Sequence, residues 1–362
     1  MSKQRLSEVD GLRGIAALTV MFGHWGEIVQ RQNVPVEWKQ TIQTFFLDDW
    51  SFGRVGIVAF FCISGFVVPF SFRGERPMLS FPISRFFRLY PAYWISILAA
   101  AILFPLVGRG VVPLEVILPN LTMLHKVFGV PSVLSVYWTL TIELVFYGIC
   151  YAMFWGHLLH SVRANFVAML VFLAMAVAAG TYRWFNVESD LPVGIPTYLA
   201  AMHFGTIARL RMRDATSVSA SVYAWSLVLL IGGVLAANTL AYLYAANEVV
   251  GWKAANLGYV VGVILFLGCI HRQWFRGGPL PFLGLISYSM YLFHMAVVAM
   301  LDPFWSMFPD TRVAAMVFTP LYIAVTIGIA VVVHRFVEKP SIGFGRRIEN
   351  AVVQRRPLPR SI

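Results

Sequence analysis

Residues 165–182 read Asn165-Phe166-Val167-Ala168-Met169-Leu170-Val171-Phe172-Leu173-Ala174-Met175-Ala176-Val177-Ala178-Ala179-Gly180-Thr181-Tyr182, eighteen positions without a charge. A helix rises about 1.5 Å per residue, so a run of this length nearly crosses the roughly 30 Å hydrocarbon layer of a bilayer. The same pattern recurs along the chain, at 11–30, 54–72, 86–107, 137–156, 165–182, 191–210, 221–245, 254–271, 281–301 and 313–336. The run at 191–210 is the most interrupted, by Pro192, Pro196 and His203. A transmembrane barrel would instead show short segments of alternating polarity. The expected fold is all-α: a polytopic transmembrane helix bundle of about ten spans.

Composition points the same way. Of the 362 residues 59% are hydrophobic and 12% charged, against about 45–50% and 25% in ordinary soluble chains. The net charge of +11 does not imply nucleic acid, because the basic residues punctuate the apolar runs and do not gather on one module. With the amino terminus in the cytoplasm, twenty of the 28 Lys and Arg residues fall on the inner side of ten spans. Positive charge prefers that side, so both termini are expected to be cytoplasmic. The opening segment resembles a secretory leader, but it carries Arg13 and His24 and is read as an uncleaved first span. Cys62, Cys150 and Cys269 stand far apart in apolar runs, a spacing that suits neither disulfides nor zinc. No metal site is expected.

Charges inside the spans carry the chemical signal. At a helix centre Arg, Lys or Asp costs about 2.5–3.5 kcal/mol or more, and such residues usually face a bundle interior. Arg13 and His24 are eleven residues apart, which at 100° per residue places them on one helix face, about 16 Å apart along the axis. Asp10 stands three residues before Arg13, within reach of an i,i+3 contact. Taken alone, Arg13 could equally reach out to the interface, and His24 could bond a neighbouring helix. Arg85 and Arg88 enter the third span together. Two guanidinium forks suit a phosphate ligand, while an interfacial anchor is the blander alternative. Glu143 is counted to the same depth as His24, where a carboxylate can orient an imidazole; a structural Glu bonded to Trp or Tyr is the alternative. His203 and His294 are read as packing histidines. A transporter or flippase using Arg13, His24 and Glu143 as a relay is the rival function.

Six motifs, in order, resemble the acyltransferase 3 family of membrane proteins: Asp10-Gly11-Leu12-Arg13-Gly14-Ile15-Ala16-Ala17-Leu18 running to His24; Phe60-Phe61-Cys62-Ile63-Ser64-Gly65-Phe66; Arg85-x2-Arg88 with Tyr90-Pro91; Trp138-Thr139-Leu140 with Glu143 and Phe146-Tyr147; Ile286-Ser287-Tyr288-Ser289-Met290-Tyr291-Leu292-Phe293-His294; and Glu338-Lys339-Pro340. The chain departs from many members at Val58 and Leu144, where they carry acidic residues.

The resemblance implies transfer of an acyl group from cytoplasmic acyl-CoA, often acetyl-CoA, to a hydroxyl of an envelope polysaccharide, glycolipid or macrolide-like small molecule. It implies no permanently bound cofactor and a multi-pass place in the inner (plasma) membrane. By the same resemblance Arg85 and Arg88 become ligands of the CoA phosphates and His24 becomes catalytic; the mechanism expected from this adds Arg13 to the phosphate ligands and Glu143 as the holder of the His24 imidazolium. Residues 1–340 are read as a membrane-embedded acyltransferase domain and 341–362 as a basic cytoplasmic tail. The sequence leaves a homo-oligomer open.

Overall fold

The computed structural model describes residues 7–32, 35–216, 218–244, 251–308 and 310–354, and among them every regular element is helical. In order these are α1 (Ser7–Arg31), α2 (Val36–Gln43), α3 (Phe52–Val67), α4 (Pro77–Leu106), α5 (Leu114–Asn120), α6 (Trp138–Trp155), α7 (Val162–Phe185), α8 (Gly194–Arg213), α9 (Ala220–Tyr242), α10 (Trp252–Arg272), α11 (Leu280–Leu301), α12 (Thr311–Val333) and α13 (Lys339–Gln354). The all-α expectation holds. Among the described residues eight helices are long and apolar enough to cross a membrane, built on α3, α4, α6, α7, α9, α10, α11 and α12. The other two expected spans are also helices, α1 and α8.

Of these, α8 is weakly apolar for a physical reason. Lipid rewards apolar side chains only where a helix touches it, and α8 does not: every residue from Pro196 to Ala208 is buried. By contrast α7 presents Val167, Val171, Met175 and Tyr182 to the outside. Gly205 lets α8 lie directly on α3, since a Cβ there would collide with the Cys62 carbonyl oxygen. Small residues that bring backbones together are how helices associate where no hydrophobic drive exists between them.

The α1–α11 contact follows the same rule and sets the site. A Cβ on Gly14 would stand 2.6 Å from the Leu280 carbonyl oxygen, and Gly284 lies against the backbone of Asp10. The two helices run parallel, so a residue ten positions along one meets a residue ten positions along the other.

The long connection after α4 folds back beside it. Trp94 Nε1 donates to the Leu121 carbonyl at 2.9 Å and the Tyr93 hydroxyl to the Asn120 carbonyl at 2.6 Å. Trp94 is twelve residues, about 18 Å, short of the end of α4 at Leu106. Irregular backbone at that depth is tolerated only when buried in protein. Buried Asn120 supplies the bonds, donating to the Val116 and Pro131 carbonyls (2.7 and 2.9 Å) and accepting from the Val133 amide at 3.1 Å. In consequence α6 begins deep in the bundle, with the Tyr137 hydroxyl 2.7 Å from Ser96 Oγ.

The tail expected from residue 341 is, through Gln354, a helix docked on α4; residues 355–362 lie outside the described residues. Pro91 has no N–H to give the Phe87 carbonyl one turn back, which leaves that oxygen unserved inside α4. Ser341 Oγ supplies the bond at 2.6 Å, and Phe344 packs edge-on to Phe87 with ring centroids 5.5 Å apart. Arg76 donates to the Val352 carbonyl at 3.2 Å. The described beginning and end of the chain therefore lie at one end of the bundle, the end that holds Arg85.

Candidate active site

At this end α4 carries Arg85, whose Nη2 donates to Ser71 Oγ at 2.6 Å. Its guanidinium lies over the rings of Phe81 (5.4 Å) and Tyr147 (5.2 Å). Phe81 is itself stacked on Phe72 at 3.9 Å, so the platform is rigid. Arg88, one turn on, is within electrostatic reach of Arg13, Arg85, Tyr147 and Glu143. Neither Arg13 nor Arg88 forms a hydrogen bond to a described residue, and the Nε atoms of Arg13 and Arg85 are buried without a partner. The expected contact between Asp10 and Arg13 is thus absent among the described residues. Three guanidinium groups face one carboxylate, an excess that a desolvated site tolerates poorly and an anion relieves.

The carboxylate is Glu143. It accepts from the Tyr147 hydroxyl at 2.6 Å and from Ser64 Oγ at 3.4 Å. Among the described residues no hydrogen bond or ion pair joins Glu143 to His24, whose expected pairing would need the two at one depth. Thr139 is hydrogen-bonded to Tyr291 at 2.6 Å; Tyr291 is already one turn below His294, and Glu143 is one further turn below Thr139. Glu143 thus lies on the arginine side of His24. Counting from helix ends assumed that the end of α1 and the start of α6 lie at one level, and the folded-back loop sets the start of α6 deeper.

The partner of His24 is Glu27, with Nδ1 to Oε2 at 3.3 Å. A carboxylate only accepts, so Nδ1 carries the hydrogen, and in the neutral imidazole Nε2 is the acceptor. The imidazole also stacks on that of His294, centroids 5.4 Å apart and planes 29° apart. His294 is fully buried, and its Nδ1 donates to the Tyr291 carbonyl at 2.8 Å. Its Nε2 is therefore also a lone-pair acceptor, and it is buried without a partner.

The residue-level reading did not single out Glu27, and it read His294 as a packing histidine. Glu27 had a signal, the i,i+3 spacing to His24; His294 became visible only with the parallel register of α1 and α11. His203 bonds Asn165 through Nδ1 at 3.0 Å and stacks on Phe172 at 5.7 Å, with its Nε2 also buried and unpartnered.

A crevice of about 310 Å³ on the far side of α1, lined by Ile15, Leu18, Thr19, Phe22 and Trp25 among others, is apolar. Phe22 is two residues, about 200°, from His24, so it opens away from the Arg13–His24 face. Among the described residues no three His, Cys, Asp or Glu side chains are grouped to hold a metal ion.

The acyltransferase 3 family model, described as an acyltransferase domain, matches residues 6–335. The chain belongs to this family. Among its curated relatives is a protein of Streptomyces mycarofaciens named acyltransferase MdmB, 27% identical over 151 residues, which are 40% of this chain and 38% of that protein. Another, from Komagataeibacter xylinus, is named as the membrane-bound transacylase BcsY and is 25% identical over 311 residues, 81% of this chain and 72% of its own. No solved structure matches this acyltransferase 3 chain. Membership together with the apolar helices supports a multi-pass membrane acyltransferase, and the six motifs fall on α1, α3, α4, α6, α11 and the π-helical junction His334–Glu338 with the start of α13.

Proposed function

We propose that the protein transfers an acyl group, in the simplest case acetyl, from cytoplasmic acyl-CoA to a hydroxyl on a carbohydrate, glycolipid or macrolide-like acceptor. One observation carries this reading: the Arg13–His24 face of α1 joins a hydrogen-bond-poor cluster of guanidinium groups to a carboxylate-backed imidazole about 16 Å away. Arg13, Arg85 and Arg88 take the phosphates of the donor, and its pantetheine arm follows the face of α1. His24 Nε2 removes the proton of the attacking hydroxyl, a contribution of about 10²–10⁴ in rate. Glu27 then stabilises the imidazolium across Nδ1–H. The hydroxyl oxygen bonds to the thioester carbon, the C–S bond breaks, and the proton leaves with the CoA thiol.

His294, an obligate acceptor beside the base, receives a hydrogen bond from the substrate next to the reacting hydroxyl. Glu143 belongs to the donor half, where it orders Tyr147 among the arginines. In this reading the arginine end faces the cytoplasm, ten helices cross an inner membrane, and residues 1–340 form the embedded domain.

The test uses the purified full chain with radiolabelled acetyl-CoA and membrane extract of the host as acceptor. Wild-type protein is expected to label the extract, and His24→Ala to bind CoA without labelling it. Equal labelling by His24→Ala refutes the assignment of the base.

A further inference from the structure

Three arginines close α8, and their environments differ. Arg211 is satisfied by its own loop, donating to the carbonyls of Ala215 and Val218. Arg209 and Arg213 are not. The Arg209 guanidinium lies 4.7 Å over the Phe66 ring and 5.9 Å from that of Phe70, and Arg213 lies 5.2 Å over Phe70. Neither makes a hydrogen bond or ion pair to a described residue, and Arg209 Nε is buried without a partner. Arg73 and Arg213 are both within electrostatic reach of Arg209, with Glu8 the one carboxylate there.

Aromatic faces hold these guanidinium planes while leaving their N–H edges unused. Those edges are the part that pairs with phosphate oxygens in a bidentate fork. Arg73 and Arg213 are exposed and Arg209 is half-buried, so the cluster is open to an anion from outside, which would add charge-assisted hydrogen bonds to these unused edges.

The cluster has a definite relation to the donor end of the site. Phe70, which carries Arg209 and Arg213, and Ser71, which anchors Arg85, are consecutive residues in the single turn Val68–Ser71. Two cationic clusters therefore hang from neighbouring positions, one facing Arg13 and the seam, the other lying under α8. Coenzyme A carries phosphate at two places, the diphosphate next to the pantetheine arm and a phosphomonoester on the ribose. The diphosphate, joined to the arm that enters the seam, matches Arg13, Arg85 and Arg88. The monoester, at the far end of the nucleotide, needs a separate cationic pocket.

We infer that Arg209, Arg213 and Arg73 form a second phosphate site, which binds the ribose phosphomonoester of the donor. This rests on the reading of acyl-CoA as donor. The shared chemistry, a phosphate monoester or diester, would also fit an anionic lipid headgroup, and the experiment separates the two.

Dissociation constants for CoA and 3′-dephospho-CoA are measured on the full chain in phosphatidylcholine nanodiscs, for wild type and for Arg209→Gln/Arg213→Gln. Wild type is expected to prefer CoA by at least tenfold. The variant is expected to bind both nucleotides alike, at the wild-type affinity for dephospho-CoA. Arg209→Lys/Arg213→Lys, which keeps the charge, should retain part of the preference, and the unliganded melting temperature of each variant shows that it is folded. A preference for CoA undiminished in the Gln variant overturns the site. So does equal weakening of both nucleotides, which marks a general structural loss. Loss of phosphatidylglycerol retention in native mass spectrometry with the CoA preference intact assigns the cluster to lipid. If wild type binds CoA and dephospho-CoA equally, the site is wrong and the donor reading stands; if it binds neither, the donor reading itself falls.

Discussion

His24 and His294 face one another as stacked imidazoles, ring centroids 5.4 Å apart, from two helices that run parallel. Each has its Nδ1 committed, one to Glu27 and the other to the Tyr291 carbonyl. With both rings neutral, each offers Nε2 as an acceptor, and the pair presents two acceptors side by side. Substituting His294→Phe keeps the ring and removes the acceptor. Transfer is expected to fall by at least about tenfold, consistent with one lost substrate hydrogen bond, while CoA affinity is unchanged; single-turnover rates and binding isotherms on the same preparation check it.

The two carboxylates near the seam should separate kinetically. Glu27→Gln removes the group that stabilises the His24 imidazolium and should lower kcat by at least about tenfold, part of the 10²–10⁴ a positioned base contributes. Glu143→Gln keeps the hydrogen bond to Tyr147 and should leave kcat near wild type while changing the KM for acyl-CoA. Steady-state kinetics of both variants decide this, and the opposite pattern would return Glu143 to the side of His24.

Much of this was legible in the residues, and the failures have identifiable causes. The ten apolar runs all became helices, because hydrophobic length is a local property. The shared face of Arg13 and His24 follows from helical periodicity alone. The level of Glu143 was not legible: it depends on how far the connection after α4 folds back beside Trp94, a tertiary fact. The role of His294 was hidden for the same reason, since its neighbour is set by the Gly14–Leu280 and Asp10–Gly284 contacts between helices far apart in sequence. The docking of the tail could have been suspected from Pro91, which guarantees an unserved carbonyl, but nothing local names Ser341 as its partner.

Gly14→Val tests the close approach of α1 and α11. The added side chain must push against the Leu280 carbonyl, and overpacking of this kind costs about 1–3 kcal/mol. A lower melting temperature in detergent is expected together with loss of transfer, since the same displacement pulls His24 from His294. Full activity with a normal melting temperature would show that the helices can separate freely.

Ser341→Ala leaves the Phe87 carbonyl without a donor, a loss of about 1–3 kcal/mol for a buried group. α13 should then detach more readily from α4. Hydrogen exchange across 339–352 is expected to speed up, with exchange in α11 unchanged. Ser341→Thr, which retains the hydroxyl, should behave as wild type.

The encasement of α8 bears on how the chain is made. A segment that meets only protein cannot rely on lipid to hold it, and its polar residues disfavour leaving the translocation channel alone. When α8 emerges from the ribosome, α3 and α7 already exist while α9 and α10 do not. Its stable integration must wait on, or be chaperoned by, the earlier pair. The order of synthesis is thereby coupled to the placing of Arg209 and Arg213 beside the turn that carries Phe70.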